Sequence, residues 1–241
     1  MGVREARFDL RCEWGEAGIV ALSPVSDVVV VVDVLSFSTC VDIAVSRRGE
    51  VLPYPERGSG AEEFAEEHRA ALARSRGEGV YSLSPATFLD IDSGTRVVLS
   101  SPNGAMVSLA SRARTTLAGC LRNASAVARV AAERGRRIAV IPAGERWPDG
   151  TLRPALEDWL GAGAILSHLS GRASPEVRSA VAAFREHRRE LEEALLDCES
   201  GRELEGWGYR EDVRLAAMLD ASGSVPEFDG VAYGSSSVSD V

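Results

Sequence analysis

The chain of 241 residues lacks lysine altogether, so all 27 of its basic residues are arginines. Without lysine it cannot form a Schiff base with a carbonyl substrate, anchor pyridoxal phosphate or supply the lysine of a Walker A phosphate-binding loop. GC-rich coding also produces arginine-rich, lysine-free chains, and the chemical exclusions hold under either explanation.

Cysteine is scarce as well, and its four positions are far apart in the sequence: Cys12, Cys40, Cys120 and Cys198. With no C-x-x-C pair, neither a disulfide framework nor a thiolate zinc site is indicated. The chain lacks an apolar run of membrane-spanning length. Its first residues, MGVREARFDL, carry charges where a signal peptide would be apolar. We therefore expect a cytoplasmic protein with no membrane partner.

Positive charge is also in deficit, because the net charge is −9. A surface that binds nucleic acid generally needs a basic face to neutralise phosphates, so no nucleic-acid partner is expected. A small anion remains a suitable ligand, since a few local donors are enough to bind it.

What the sequence does contain is an alternation of strand-like and helix-like segments. The predicted strands are 28–34, 50–54, 96–100, 115–120 and 137–142, and the predicted helices are 39–48, 60–76, 104–113, 125–134, 156–170, 175–199 and 211–219. This rhythm predicts an α/β fold with a mainly parallel or mixed sheet flanked by helices in three layers. We expect a single domain over 1–241, with a subdomain division near 90–95 as a variant, and a flexible tail over about 234–241.

The predicted helix 175–199 starts with an N-cap at Ser174 followed by Pro175. It carries apolar residues at helical spacing: Val177, Val181, Phe184, Leu191, Leu195 and Cys198. The stripe favours packing on the chain's own body, and a seam with a second copy in a homodimer is the alternative.

Polar residues cluster in the turns that follow the predicted strands. In a parallel sheet the carboxyl ends of the strands share one edge, where ligands bind, and the helix N-termini there attract anions. The candidate anion-binding residues in these turns are Ser36, Ser38, Thr39, Asn103, Gly104, Arg122 and Asn123. Each of these turns taken alone is also an ordinary helix cap.

A carboxylate, Asp33, ends the most apolar strand, and Glu145 follows the strand at 137–142. Carboxylates repel an anionic ligand unless a cation intervenes, and Mg²⁺ prefers one or two carboxylates plus ligand oxygens and waters. Asp33 and Glu145 are therefore candidate Mg²⁺ ligands, with Asp158 as a third. The alternatives are a capping or buried hydrogen-bonding role for Asp33 and a first-turn helix position for Asp158.

Several phosphatase chemistries are excluded by spacing. No cysteine has an arginine six positions later, and Asp33 has no second acid two positions on. His68, His168 and His187 fall inside predicted helices, and no G-x-G-x-x-G follows a strand. Metal-assisted attack by water or by a carboxylate remains.

Taken in order, these turns resemble those of the 2-phosphosulfolactate phosphatase family. The stretches that carry the resemblance are Asp33-Val34-Leu35-Ser36-Phe37-Ser38-Thr39, Ser101-Pro102-Asn103-Gly104-Ala105, Arg122-Asn123-Ala124-Ser125-Ala126-Val127-Ala128, Ala143-Gly144-Glu145-Arg146, Leu156-Glu157-Asp158 with Gly161-Ala162-Gly163-Ala164-Ile165, and Asp212-Val213 with Asp220. The resemblance implies a Mg²⁺-dependent hydrolase that converts 2-phospho-3-sulfolactate to sulfolactate and phosphate, a step in coenzyme M synthesis.

On this hypothesis Asp33 and Glu145 hold the metal, and Arg146 offsets charge on the phosphoryl group. One departure bears on the substrate, because many members of the family have arginine where this chain has Ser36. Losing that arginine removes a fork suited to binding an anion in a bidentate manner. Two alternatives stay open: a non-catalytic protein that binds a small anionic metabolite, and a hydrolase of a different phosphorylated or sulfonated metabolite.

Overall fold

A computed structural model describes residues 7–236. Its strands are β1 (Leu10–Cys12), β2 (Val28–Val32), β3 (Glu50–Tyr54), β4 (Ala71–Leu72), β5 (Arg96–Ser100), β6 (Thr115–Gly119), β7 (Ile138–Pro142), β8 (Glu145–Arg146), β9 (Leu152–Arg153), β10 (Pro226–Phe228) and β11 (Tyr233–Ser235). Its helices are α1 (Gly15–Leu22), α2 (Phe37–Ser46), α3 (Ser59–Glu67), α4 (Gly104–Leu109), α5 (Ala124–Arg134), α6 (Leu156–Leu166), α7 (Pro175–His187), α8 (Leu191–Asp197), α9 (Glu199–Gly206) and α10 (Arg210–Ala217).

Nine strands form one mixed sheet in the order β1-β7-β2-β6-β10-β11-β3-β5-β4. One group of neighbouring strands, β1, β7, β2 and β6, is parallel. A second group, β3, β5 and β4, is also parallel within itself. The hairpin β10–β11 lies between these two groups, and its three successive pairings are antiparallel. The two parallel groups therefore run in opposite senses, so the expectation that all strands end at one sheet edge is wrong.

The valine run of β2 explains the three layers. Val28, Val30 and Val32 pack in one core with α5, α6 and α7, while Val29 and Val31 pack in a second core with α1. All five side chains are fully buried, which contributes about 1.5–3 kcal/mol for each valine relative to exposure. The predicted α/β class with helices on both faces of a mainly parallel mixed sheet is confirmed.

The predicted helices 104–113 and 156–170 end early, at Leu109 and Leu166, and two others differ more. The segment 60–76 stops being helical after Glu67, because Arg69 adopts a left-handed conformation (φ 51°) and the chain enters β4. The segment 175–199 is divided into α7, α8 and the start of α9. Cys198 is extended (φ −69°, ψ 163°) and its Sγ accepts a hydrogen bond from Gly201 N at 3.4 Å, so it caps α9 instead of continuing α8.

The predicted apolar stripe packs inside the chain. Val177 and Phe184 of α7 are buried in the core that includes α6, and Gly163 of α6 faces the carbonyl oxygen of Ala180 so closely that no side chain would fit there. Packing on the chain's own body accounts for the stripe, and the homodimer stays a prediction.

The ends of the predicted domain also differ from the structure in detail. Gly234 and Ser235 lie in β11 and not in a tail, while 237–241 lie outside the described residues. Strand β5, which follows residues 90–95, pairs with β3 and β4 of the same sheet, and the division into subdomains stays a prediction.

All four cysteines are buried and free. Within residues 7–236, no helix is both long enough and apolar enough to cross a membrane.

Candidate active site

The turn between β2 and α2 holds Asp33 in a fixed position. Its Oδ1 accepts a hydrogen bond from Phe37 N at 3.1 Å, and its Oδ2 accepts one from Gly104 N at 2.8 Å and one from Ser101 Oγ at 3.3 Å. The residue is only 5% exposed. Gly104 is required here because a Cβ would lie 2.5 Å from Asp33 Oδ2 and 2.5 Å from the Phe37 ring.

The hydroxyls of Ser38 and Thr39 support the strand end and do not line the cavity that contains Asp33. Ser38 Oγ accepts from Asp33 N at 3.0 Å and donates to Val31 O, and Thr39 Oγ1 donates to Val34 O at 2.7 Å. Both residues are fully buried. Small hydroxyl residues therefore follow the acid because they satisfy the backbone where the strand turns into the helix.

The turn after β5 links Asp33 to Glu145. Asn103 Nδ2 donates to Glu145 Oε2 at 2.8 Å, and the next amide in the chain, Gly104 N, donates to Asp33. Glu145 starts β8, which pairs with β9 in a small antiparallel hairpin. One short turn thus positions both carboxylates, although β2 and β5 belong to oppositely directed parts of the sheet.

Asp33 and Glu145 line one cavity of about 190 Å³. The residues around it are Asp33, Leu35, Ser36, Arg76, Leu83, Ser101, Pro102, Asn103, Glu145, Ser200, Glu203, Leu204 and Trp207. The cavity thus combines three acids and one arginine with hydroxyl, amide and apolar groups. Ser36 and Asn103 are the predicted anion-binding residues that line it.

Burial and neighbouring negative charges make both carboxyl groups harder to ionise. Burial raises the pKa of Asp33 to about 6, against hydrogen bonds from Phe37, Gly104 and Ser101 that lower it. Burial, followed by the negative charges of Asp33 and Glu157, raises the pKa of Glu145 to about 7. A cation or a donor placed between these groups would relieve the repulsion.

Asp158, the third predicted metal ligand, is committed to the backbone. Its Oδ1 accepts from Val34 N at 2.7 Å and its Oδ2 accepts from Gly144 N at 2.8 Å. It is buried and does not line the cavity. The carboxylate ties the turn after β2 to the turn after β7, so it positions Asp33 and Glu145 from behind.

Three other predicted residues lie away from this cavity. Arg122 pairs with Asp42 of α2 (Nε to Oδ2, 2.9 Å) and donates to Leu215 O of α10. It therefore connects these two helices. Asn123 accepts from Cys120 N and donates to the carbonyl oxygen of Ser224. Arg146 is exposed, donates to Pro102 O and lines a neighbouring cavity that shares Asn103 and Glu145 with the first.

Two contributors to the cavity were missed from the sequence. Arg76 was placed in a helix that ends before it, and its Nη2 in fact donates to Ser36 Oγ at 3.1 Å. Helix α9 supplies Ser200, Glu203 and Leu204, but the sequence predicted one long helix through this region. The sequence offered one signal for Arg76. Where many members of the family have an arginine this chain has Ser36, so an arginine from elsewhere could take its place.

A larger groove of about 450 Å³ lies elsewhere, lined by Arg48, Arg129 and several serines, and it shares no residue with the cavity of Asp33. None of the described residues that line it is a carboxylate. The cavity of Asp33 is therefore the better candidate for metal-assisted chemistry, despite its smaller volume.

Fold and cavity together define a three-layer α/β protein whose site combines paired carboxylates with an arginine, a composition suited to a small anionic ligand. A family model described as 2-phosphosulpholactate phosphatase matches residues 19–230. The chain belongs to this family of phosphatases, and the resemblance of its turns is confirmed.

Two relatives span most of the chain. The 2-phosphosulfolactate phosphatase of Methanothermobacter thermautotrophicus is 28% identical over 205 residues, which cover 84% of this chain and 87% of that protein. The probable 2-phosphosulfolactate phosphatase of Carboxydothermus hydrogenoformans is 32% identical over 210 residues, which cover 83% of this chain and 85% of that protein.

Proposed function

We propose that this chain is a Mg²⁺-dependent phosphomonoester hydrolase that converts 2-phospho-3-sulfolactate and water to sulfolactate and phosphate. The observation that carries the proposal is the shared cavity of Asp33, Glu145 and Arg76. The names of the two relatives support the substrate.

The donor set of the cavity fits Mg²⁺. Within residues 7–236 no three His, Cys, Asp or Glu side chains group as a metal site, but Mg²⁺ commonly uses one or two carboxylates and fills its other positions with water and phosphate oxygens. Asp33 and Glu145 would hold it, and Asp158 would not, because Asp33 and Glu145 line the cavity and Asp158 does not. When bound, the ion would neutralise charge on the phosphoryl oxygens.

The chain's own residues supply the rest of the site. The amides of Phe37 and Gly104 keep the Asp33 carboxylate in one orientation, and Asn103 does the same for Glu145. Arg76 adds positive charge for a multiply anionic ligand. In the reaction, the oxygen of water adds to phosphorus, the ester P–O bond breaks, and the released hydroxyl oxygen of sulfolactate takes up a proton.

Phosphate release from 2-phospho-3-sulfolactate, measured with Mg²⁺ and with EDTA, tests this function. We expect Mg²⁺-dependent release by the natural chain. Asp33→Asn should lower the rate at least about 100-fold while the circular dichroism spectrum stays that of a folded protein. The matched control is Asp92→Asn, at an exposed aspartate outside the cavity.

The other outcomes separate the alternatives. An unchanged rate in Asp33→Asn would remove Asp33 from the mechanism. Tight binding of the substrate without phosphate release would indicate a non-catalytic binding protein. Release only from other phosphorylated acids would keep the phosphatase and replace its substrate.

A further inference from the structure

Arg76 enters the cavity from the segment between β4 and β5 and is held there from three sides. Its Nη2 donates to Ser36 Oγ at 3.1 Å, and its guanidinium lies over the Tyr209 ring at 5.3 Å from the centroid. Its Nε lies 3.7 Å from Asp212 Oδ2. The side chain is 17% exposed, so the guanidinium is restrained but still reaches the cavity.

The ion pair with Asp212 leaves this arginine incompletely satisfied. Both Arg76 Nε and Asp212 Oδ2 are buried without a hydrogen-bond partner. Among the residues that the structure describes, Arg76 Nη1 has no hydrogen bond, and Arg76 forms no ion pair with Asp33 or Glu145. A guanidinium has five N–H donors, and only one of them is used here.

Asp212 itself cannot move freely toward the arginine. Its Oδ1 accepts from Ser84 Oγ at 2.7 Å and from Ala86 N at 3.2 Å, which fixes the first turn of α10 against the segment before β5. Asp212 is 1% exposed and does not line the cavity. It therefore orients Arg76 without approaching a ligand.

We propose that Arg76 binds the acid group of the substrate that is not transferred, a sulfonate or carboxylate, and that Asp212 is its positioning residue. This inference rests on the proposed function. The paired carboxylates and their cation account for the phosphoryl group, whereas a second anionic group needs a separate donor. The Nη1 group of Arg76 has no hydrogen bond, and with the second N–H of Nη2 it can donate to such an oxyanion.

Calorimetric titration of the chain with sulfolactate and, separately, with inorganic phosphate tests the assignment without requiring turnover. Arg76→Gln should weaken sulfolactate binding about 10- to 100-fold, the range expected for a charged hydrogen-bonded pair. The loss should be at least about tenfold larger for sulfolactate than for phosphate. Arg74→Gln is the matched control, because Arg74 is exposed, pairs with Glu62 and lies outside the cavity.

Two further variants separate recognition from folding. Arg76→Lys keeps the buried positive charge beside Asp212 but loses the fork, so sulfolactate should still bind at least about fivefold more weakly. Asp212→Asn keeps an oxygen that can accept from Ser84 and Ala86 but removes the charge beside Arg76, so it should raise KM for 2-phospho-3-sulfolactate more than it lowers kcat. Melting temperatures show whether each variant is folded.

Several results would overturn the assignment. Equal losses of affinity for sulfolactate and phosphate in Arg76→Gln would place Arg76 on the phosphoryl group. An unchanged sulfolactate affinity in Arg76→Gln, or no sulfolactate binding by the natural chain, would also contradict it. Arg76-dependent binding of sulfolactate by a chain that releases no phosphate would support the assignment and contradict the proposed function. Phosphate release by a chain whose sulfolactate affinity does not depend on Arg76 would support the proposed function and contradict the assignment of Arg76.

Discussion

Two buried aspartates beside the same turns, Asp33 and Asp158, have different surroundings. Asp33 accepts three hydrogen bonds but lines the cavity, whereas both oxygens of Asp158 accept buried amides behind it. Burial raises the pKa of both carboxyls. From this difference in access we expect Asp33 to contact the ligand and Asp158 to support the turns behind it.

Asp158→Ala should lower the free energy of unfolding by about 2–5 kcal/mol, because the amides of Val34 and Gly144 would lose their acceptor. Urea denaturation measures the change, and Asp92→Ala at an exposed position is the control. Mg²⁺ should still raise the melting temperature of the variant. Unchanged stability together with loss of the Mg²⁺ effect would make Asp158 a metal ligand instead.

At the residue scale, the sequence predicted Asp33 and Glu145 for one site, and both line one cavity, whereas Arg76 was not found. A carboxylate at the end of an apolar strand is a local signal. The position of Arg76 depends on the chain leaving α3 at Arg69 and forming β4, and helical periodicity does not report that change. Ser38 and Thr39 lie outside the cavity and bond to the backbone. The sequence could not show this, because a hydroxyl that satisfies the backbone and one that binds an anion have the same sequence pattern.

At the scale of elements, α2 is held between the sheet and α10 by a buried ion pair. Asp42 of α2 is fully buried and contacts Arg122, whose Nη1 also donates to the carbonyl oxygen of Leu215 in α10. Since α2 begins beside Asp33, this pair stabilises the site from a distance.

Arg122→Ala should therefore cost about 3–5 kcal/mol of unfolding free energy, because it leaves the Asp42 charge buried without a partner. Adding Asp42→Asn should recover part of the loss. Guanidinium denaturation measures both, and KM of the folded protein should stay within about twofold of the natural value. A tenfold higher KM with unchanged stability would return Arg122 to the substrate site.

The regular elements could be predicted where apolar patterns are local. Strands β3 and β5 have the predicted bounds, and Ser174 caps α7 as expected, its Oγ accepting from Val177 N. The hairpin β10–β11 could not be foreseen, because each of its strands has only three residues. Because of that hairpin, β3, β5 and β4 run opposite to β1, β7, β2 and β6. The strands therefore do not share the one carboxyl edge assumed from the sequence.

At the scale of the whole molecule, the protein is acidic, and most of the charged side chains of its cavity are negative, as the proposed ligand is. The net charge of the chain is −9. The cavity contains three acids, Asp33, Glu145 and Glu203, and one arginine, Arg76. In the metal-free protein this repulsion makes stability depend on pH.

The free energy of unfolding should fall as pH rises in EDTA. The pKa of Glu145 rises from 4.5 to about 7 on folding, and that of Asp33 rises from 3.8 to about 6. Between these values the folded chain holds protons that the unfolded chain has released, so the folded state is favoured at the acidic end and the advantage is lost by about pH 7. Melting temperatures between about pH 5 and about pH 8 measure the slope.

Glu145→Gln should flatten that slope, and Glu203→Gln, at an exposed acid of the same cavity, is the matched control. The same steep slope in Glu145→Gln as in the natural chain would mean that other groups govern the pH dependence.

The most direct test of the central claim is a crystal structure of the chain with Mg²⁺ and sulfolactate. We expect an ion about 2.1 Å from carboxylate oxygens of both Asp33 and Glu145, with sulfolactate in the same cavity. An ion bound away from both carboxylates, or sulfolactate in the groove between Arg48 and Arg129, would contradict it.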